Sequence, residues 1–203
     1  MEGVKNIIFD LGGVILKIDY NKTAEAFKQL GVKHFDELYS QHKASPLFED
    51  LETGSVSEED FFTQFTQMCG TALTKDDVTK AWNAMLGYFP KENIELLKRL
   101  KQKYKLFLFS NTNKIHFDAF HHLFREQIGG NFDDYFDKAY YSHTMHQRKP
   151  NKEAFEYILK EQNLKAEETL FIDDTEINIP PAKELGIQTI LLLPPKTITD
   201  IFS

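Results

Sequence analysis

Five short apolar runs, rich in β-branched and aromatic residues, limit what this chain can fold into. They are Val4–Phe9, Lys105–Phe109, Lys138–Tyr141, Thr169–Ile172 and Gln188–Leu193. Runs of this length and composition read as buried strands. Helical patterns lie between the later ones. Glu92–Lys103 places Ile94, Leu97 and Leu100 at helical spacing, and Asn151–Gln162 does the same with Phe155, Ile158 and Leu159. Strands that alternate with helices pair in parallel, because a parallel partner is reached only through a crossover. The crossovers lay helices on both faces of the sheet. The expected class is therefore α/β.

One gap breaks the alternation. From Tyr20 to Phe89 no segment reads as a strand. Ala24, Phe27 and Leu30 form a helical stripe. Ser57 and Asp60 read as a capping pair ahead of Phe61, Phe62 and Phe65, and Thr74 opens a helix with Val78, Trp82 and Met85 on one side. The block is too long for a plain crossover. It reads as a helical subdomain, residues 20–89, inserted after strand one of a core made of residues 1–19 and 90–203. Such an insertion would sit over the carboxyl ends of the strands.

In open α/β sheets those ends are where ligands bind. Asp10 stands at the first, followed by Gly12 and Gly13, which let the chain bend and bring backbone close to a ligand. A carboxylate there can be a nucleophile, a metal ligand or both; it equally reads as the cap of a tight turn. At the second end, Ser110-Asn111-Thr112-Asn113 offers a hydroxyl and loop N–H groups to phosphate oxygens, or an N-cap for the helix near Lys114–Phe124. In Arg148-Lys149-Pro150, the proline biases Lys149 towards an extended conformation just before a helix. A lysine held there can neutralise phosphate and an anionic nucleophile; an isolated lysine is also an ordinary surface group. Asp173 and Asp174 repel each other at the fourth end unless a cation binds, and Mg²⁺ favours such oxygens. The same pair reads as a capping loop.

Charge and cysteine usage exclude other classes. A net charge of −7 is the wrong sign for a nucleic-acid footprint. The single cysteine, Cys69, reads as a small buried apolar residue and points to no oxidising compartment. No apolar run is long enough for a membrane span, and Lys5 and Asp10 interrupt any secretory pattern at the N-terminus. The expectation is a soluble, cytoplasmic protein. His121 and His122 lack metal-ligand spacing and read as helix surface.

Taken together, Asp10, Ser110, Lys149 and Asp173–Asp174 resemble, in order and placement, the motifs of the haloacid dehalogenase-like hydrolase superfamily. The resemblance spans nearly the whole chain. Asp-Leu-Gly-Gly-Val, Ser-Asn-Thr-Asn, Arg-Lys-Pro and Ile-Asp-Asp are most similar to the bacterial α-D-glucose-1-phosphate phosphatases and their close relatives, and the turn at Glu52-Thr-Gly-Ser looks like one common in the superfamily's helical cap. The resemblance implies a Rossmann-like core with a small cap and a Mg²⁺-dependent phosphatase working through an aspartyl-phosphate. In that scheme Asp10 is the nucleophile, and Ser110 and the Asn111 N–H bind the phosphoryl oxygens. Lys149 offsets charge. The metal sits among Asp10, the Gly12 carbonyl and Asp174, with Asp173 beside them, and Asn178 orients the lysine or a metal-bound water.

Two positions depart from the pattern. Gly12 stands where most phosphatases of the superfamily carry an acid–base Asp, and His146 stands where relatives commonly place Gly. His146 reads either as a solvated loop residue or as a substitute proton donor. With no acid at Gly12, sugar 1-phosphates and aryl phosphates, whose leaving groups tolerate charge, are the expected better substrates. Two other readings use the same residues: a metal-free 2-haloacid dehalogenase, which would not need the acidic pair, and a catalytically weak protein that binds phospho-ligands.

Overall fold

The computed structural model describes residues 3–33, 35–40 and 43–202. Seven strands occur among them. In chain order they are β1 Asn6–Phe9, β2 Tyr39–Ser40, β3 Lys43–Ala44, β4 Lys105–Ser110, β5 Lys138–Tyr141, β6 Thr169–Asp173 and β7 Gln188–Leu191. Five of them form one sheet in the order β5-β4-β1-β6-β7, with every pairing parallel. The fold is the α/β, Rossmann-like one expected.

Strand β1 lies at the centre, and its four residues are all buried. The period of two sorts its side chains. Ile7 and Phe9 join Leu106, Leu108, Leu170 and Ile172 on one face, under the helices Lys91–Leu100 and Lys114–Gln127. Ile8 joins Phe107, Phe109 and Phe171 on the other, under Lys152–Glu161 and Ile179–Glu184. Both faces are apolar because both are covered, which is why these strands read as continuous apolar runs. Strand ends differ by a residue or two from expectation. Ser110 and Asp173 still belong to their strands, because each has a ladder partner, Tyr141 and Leu191.

Between β1 and β4 the chain builds a second apolar cluster from Phe27, Phe35, Phe48, Phe61, Phe65 and Trp82. Its helices begin where the sequence put them. Ser57 caps Glu58–Cys69, and Thr74 with Asp77 forms a capping box on Lys75–Asn83. The expectation of no strand here is corrected by β2 and β3, a two-residue antiparallel pair too short to show a period. Cys69 is only half-buried, at the end of its helix.

The two connections to this block run side by side. Lys17 N donates to Tyr88 O at 3.0 Å, Gly87 N to Lys17 O at 2.9 Å, and Asp19 N to Met85 O at 2.9 Å. A Cβ on Gly87 would stand 2.6 Å from the Lys17 carbonyl, so this crossing accepts no side chain.

Candidate active site

The site is assembled from four strand ends. Asp10 follows β1 and continues its ladder by one bond, its N–H donating to Ile172 O at 2.9 Å. The chain then turns through Gly12 and Gly13. Gly13 has φ +72°, and a Cβ there would lie 2.0 Å from Asp174 Oδ2, so the turn closes directly against the acidic pair. A Cβ on Gly12 would stand 2.7 Å from Ile18 Cδ1. An aliphatic side chain thus borders the space that an acid at position 12 would need.

Lys149 is the centre of the charge network. Its Nζ lies 2.7 Å from Asp10 Oδ1 and 2.6 Å from Asp173 Oδ2, and the side chain is 1% exposed. The ammonium also lies over the rings of Phe109 and Phe171, at 5.4 and 5.5 Å. Its backbone is clamped from β4's loop: Lys149 N donates to Asn111 Oδ1 at 2.9 Å, and Asn111 Nδ2 donates to Lys149 O at 2.8 Å. Asp173 is held in turn. Asn178 Nδ2 donates to both its oxygens at 3.1 and 3.0 Å, and Thr175 N donates to Oδ1 at 2.8 Å.

Ser110 is buried, and its hydroxyl makes only a long 3.4 Å bond to the Asn111 carbonyl. The capping role open to this loop falls to Asn113, whose side chain accepts from His116 N. Ser142 Oγ accepts from Thr112 N at 2.8 Å and donates to Thr112 O at 2.9 Å, tying the loop to the end of β5.

Carboxylate oxygens of Asp10, Asp173 and Asp174 lie within 4.8 Å of one another. Burial, then the neighbouring Asp173 and Asp174, push Asp10 up to about 8 against the pull of Lys149. Burial and Asp173 raise Asp174 to about 6. Burial acts to lower Lys149, yet Asp10 and Asp173 outweigh it and hold the lysine above its ordinary value. Three carboxylates face one ammonium, and the excess of two negative charges is what a divalent cation neutralises. The hard oxygen donors suit Mg²⁺.

Asp10, Gly12, Ser110, Asn111, Lys149, Asp174 and Asn178 line one cavity of about 550 Å³, and Asp173 lies fully buried beneath. The expected residues therefore converge. The far wall comes from the inserted block; of its residues the sequence named Glu52, in a turn, and Arg148, before Lys149, without giving either a place at the site. Tyr20, Tyr39, Glu49 and Glu52 line it with Arg148 from the core. Arg148 Nη1 donates to Glu49 Oε1 at 2.8 Å, and its Nη2 lies 2.9 Å from Glu52 Oε2. Tyr39 donates to Glu52 Oε1 at 3.0 Å. The available signal was slight: Glu52 directly after Leu51, and Arg148 directly before Lys149.

Two histidine readings change. His146 is exposed and outside the cavity lining, and its Nδ1 lies 2.8 Å from Thr53 O, on the turn of the inserted block. It is a contact between the two parts rather than a free loop residue. His121 is buried, not surface: it packs on Phe117 and Phe120, with Nε2 3.4 Å from Tyr141 Oη. His122 is solvent-exposed, as expected.

A family model for haloacid dehalogenase-like hydrolases matches residues 4–186. The chain belongs to this family. It is 34% identical over 186 residues to the D-ribitol-5-phosphate phosphatase of Bacteroides thetaiotaomicron, covering 92% of this chain and 90% of that one. Its fold matches a variant of a HAD family enzyme from the same organism, in complex with magnesium and inorganic phosphate. That match has TM-score 0.93 and 32% identity, and covers 98% of this chain and 99% of the other. A predicted HAD-like hydrolase from Porphyromonas gingivalis matches with TM-score 0.88 and 35% identity over 98% of each chain. Among the described residues, no helix is long and apolar enough to cross a membrane.

Proposed function

We propose that the chain is a Mg²⁺-dependent phosphatase of a small sugar or polyol monophosphate, working through a phosphoryl group carried on Asp10. The observation that carries the reading is Lys149 Nζ bridging Asp10 and Asp173, with Asp174 alongside.

Asp10 gives one oxygen to Lys149, and its carboxylate attacks phosphorus. The Asp10 O–P bond forms as the ester P–O bond breaks, and the electron pair leaves on the alcohol oxygen, which takes up a proton. Water then attacks the acyl phosphate, releasing inorganic phosphate and restoring the carboxylate. Ser110 Oγ and the Asn111 N–H bind the phosphoryl oxygens, and Lys149 offsets their charge. Asp10, Asp174 and the Gly12 carbonyl hold Mg²⁺, which supplies further charge neutralisation when bound. Both oxygens of Asp173 already accept hydrogen bonds, so Asp173 acts by fixing Lys149 from beneath and Asn178 acts by fixing Asp173. Residues 20–89 act as the cap, closing the far wall and excluding water.

The alcohol is the finer part of the proposal. The relative from Bacteroides thetaiotaomicron is a phosphatase of D-ribitol 5-phosphate, a primary-alcohol ester. Gly12, with Ile18 against it, favours leaving groups that need no acid.

The test is beryllium fluoride with Mg²⁺, followed by structure determination. The fluoride mimic is expected on Asp10, and turnover of any monoester is expected to stop in EDTA. Turnover that persists in EDTA would overturn the metal-dependent reading, and halide release from a 2-haloacid in EDTA would favour the dehalogenase chemistry.

A further inference from the structure

Glu52 is a buried carboxylate that the phosphoryl chemistry does not use. It is 3% exposed, yet it lines the same cavity as Asp10 and Lys149. Its Oε1 accepts from Tyr39, and its Oε2 lies 2.9 Å from Arg148 Nη2. Glu49 and Asp50 line the cavity beside it. On this wall the cation is Arg148, and Glu49 and Glu52 both take it. A leaving group bearing a second phosphate or a carboxylate would meet acidic side chains and a guanidinium already spent. A neutral alcohol with several hydroxyls would instead donate to them.

Tyr20 joins this wall to the floor. It lines the cavity with both sets of carboxylates, and burial first, then the charges of Asp174, Asp10 and Glu52, push its hydroxyl well above the ordinary value. The far wall and the phosphoryl site are thus two ends of one substrate-sized space.

We propose that Glu52, held by Arg148 and Tyr39, reads the alcohol half of the substrate. With Glu49 and Asp50 its charge turns away leaving groups that carry a second anion. The substrate class is then the monophosphate of a neutral, polyhydroxylated alcohol. This rests on the phosphatase reading above and adds to it the residue that selects.

The experiment compares kcat/KM for ribitol 5-phosphate, for 5-phosphoribonate, which carries a carboxylate at the far carbon, and for p-nitrophenyl phosphate, all with Mg²⁺. The readout is the ratio of neutral to acidic ester, so that a general loss of activity divides out. The wild type is expected to favour ribitol 5-phosphate over the acid by on the order of 10²-fold. Glu52→Gln keeps the shape and removes the charge, and should lower that ratio about tenfold. If Glu52→Gln shows no cooperative thermal transition, the double variant Glu49→Gln/Asp50→Asn carries the test. Both side chains are exposed, and the ratio should fall about threefold. A wild type that takes both esters within twofold, or a ratio unmoved in the folded variants, would overturn this inference alone. No turnover of any of the three esters would overturn the phosphatase reading, and the inference with it.

Discussion

The floor and the far wall of the cavity are built in opposite ways. The charged groups on the floor sit at strand ends of one parallel sheet or, for Lys149, in the loop that follows β5 and its short helix, and they hold one another. Lys149 is fixed through its ammonium by Asp10 and Asp173, and through its backbone by Asn111. The far wall depends on side chains reaching between two parts of the chain, Arg148 to Glu49 and Glu52, and His146 to Thr53. Those two parts are joined covalently only by paired strands of backbone at Lys17 and Tyr88. A reaction needs fixed geometry, since small misplacements of reacting groups are costly. Under the proposed function, chemistry falls to the sheet and selection to the insertion.

The largest effect should come from the floor. Asp10→Asn is expected to lower kcat by on the order of 10⁴–10⁶-fold, because an amide cannot carry the phosphoryl group. A variant keeping most of its turnover in a steady-state assay would show that the floor does not supply the nucleophile.

Lys149→Met should come next, measured as stability. The thioether fits between Phe109 and Phe171, but Asp10 and Asp173 lose their counter-ion in a buried site. Breaking such a pair costs about 3–5 kcal/mol, and excess Mg²⁺ should restore part of it. Arg148→Met on the far wall should cost less, since the Arg148 side chain is 20% exposed and Glu49 is half in water. Urea midpoints decide this, and equal losses from the two variants would erase the distinction between floor and wall.

His116 tests the joint between the two regions. It lies on the core helix Lys114–Gln127, yet its ring stacks on Trp82 of the insertion and its Nε2 lies 3.1 Å from Trp82 O. Burial lowers its pKa from 6.5 to about 4. The unfolded chain therefore takes up the proton first. The stability it contributes is complete above the unfolded value and is lost as pH falls from 6.5 towards 4, by up to about 3 kcal/mol. Asp10 and Asp174, raised in the folded state, favour folding at low pH and oppose this trend. The difference in melting temperature between wild type and His116→Gln isolates the histidine. A difference that is flat from pH 7 to 4 would mean that the joint does not titrate.

The smallest expected effect concerns leaving groups. Gly12→Asp should help glucose 6-phosphate more than p-nitrophenyl phosphate, narrowing the gap in kcat/KM by about tenfold. Ile18 Cδ1 stands in the way of the new side chain, so the effect should grow when Ile18→Ala is added. Faster hydrolysis of glucose 6-phosphate than of glucose 1-phosphate by the wild type would show that a group on the far wall already supplies the proton.

Much of the floor was legible in the sequence because its information is local. A strand buried on both faces is a short apolar run, and the first polar residues after it, Asp10, Ser110 and Asp173–Asp174, must lie at its end. Capping pairs are local too, so Ser57 and Thr74 marked the helix starts of the insertion. Tertiary structure alone decided who holds whom. Asn111 serves as the clamp of Lys149, and Asp173 as its anchor, because the loops after β4, β5 and β6 meet over the sheet edge. It decided that His121 is buried under Tyr141, though its spacing reads as surface. It paired Arg148 with a Glu49 that is 99 residues away in the chain. Periodicity reports only which way a side chain faces its own element. An ion pair between elements depends on how those elements dock, and docking is set by the apolar clusters behind them, which no short stretch of sequence contains.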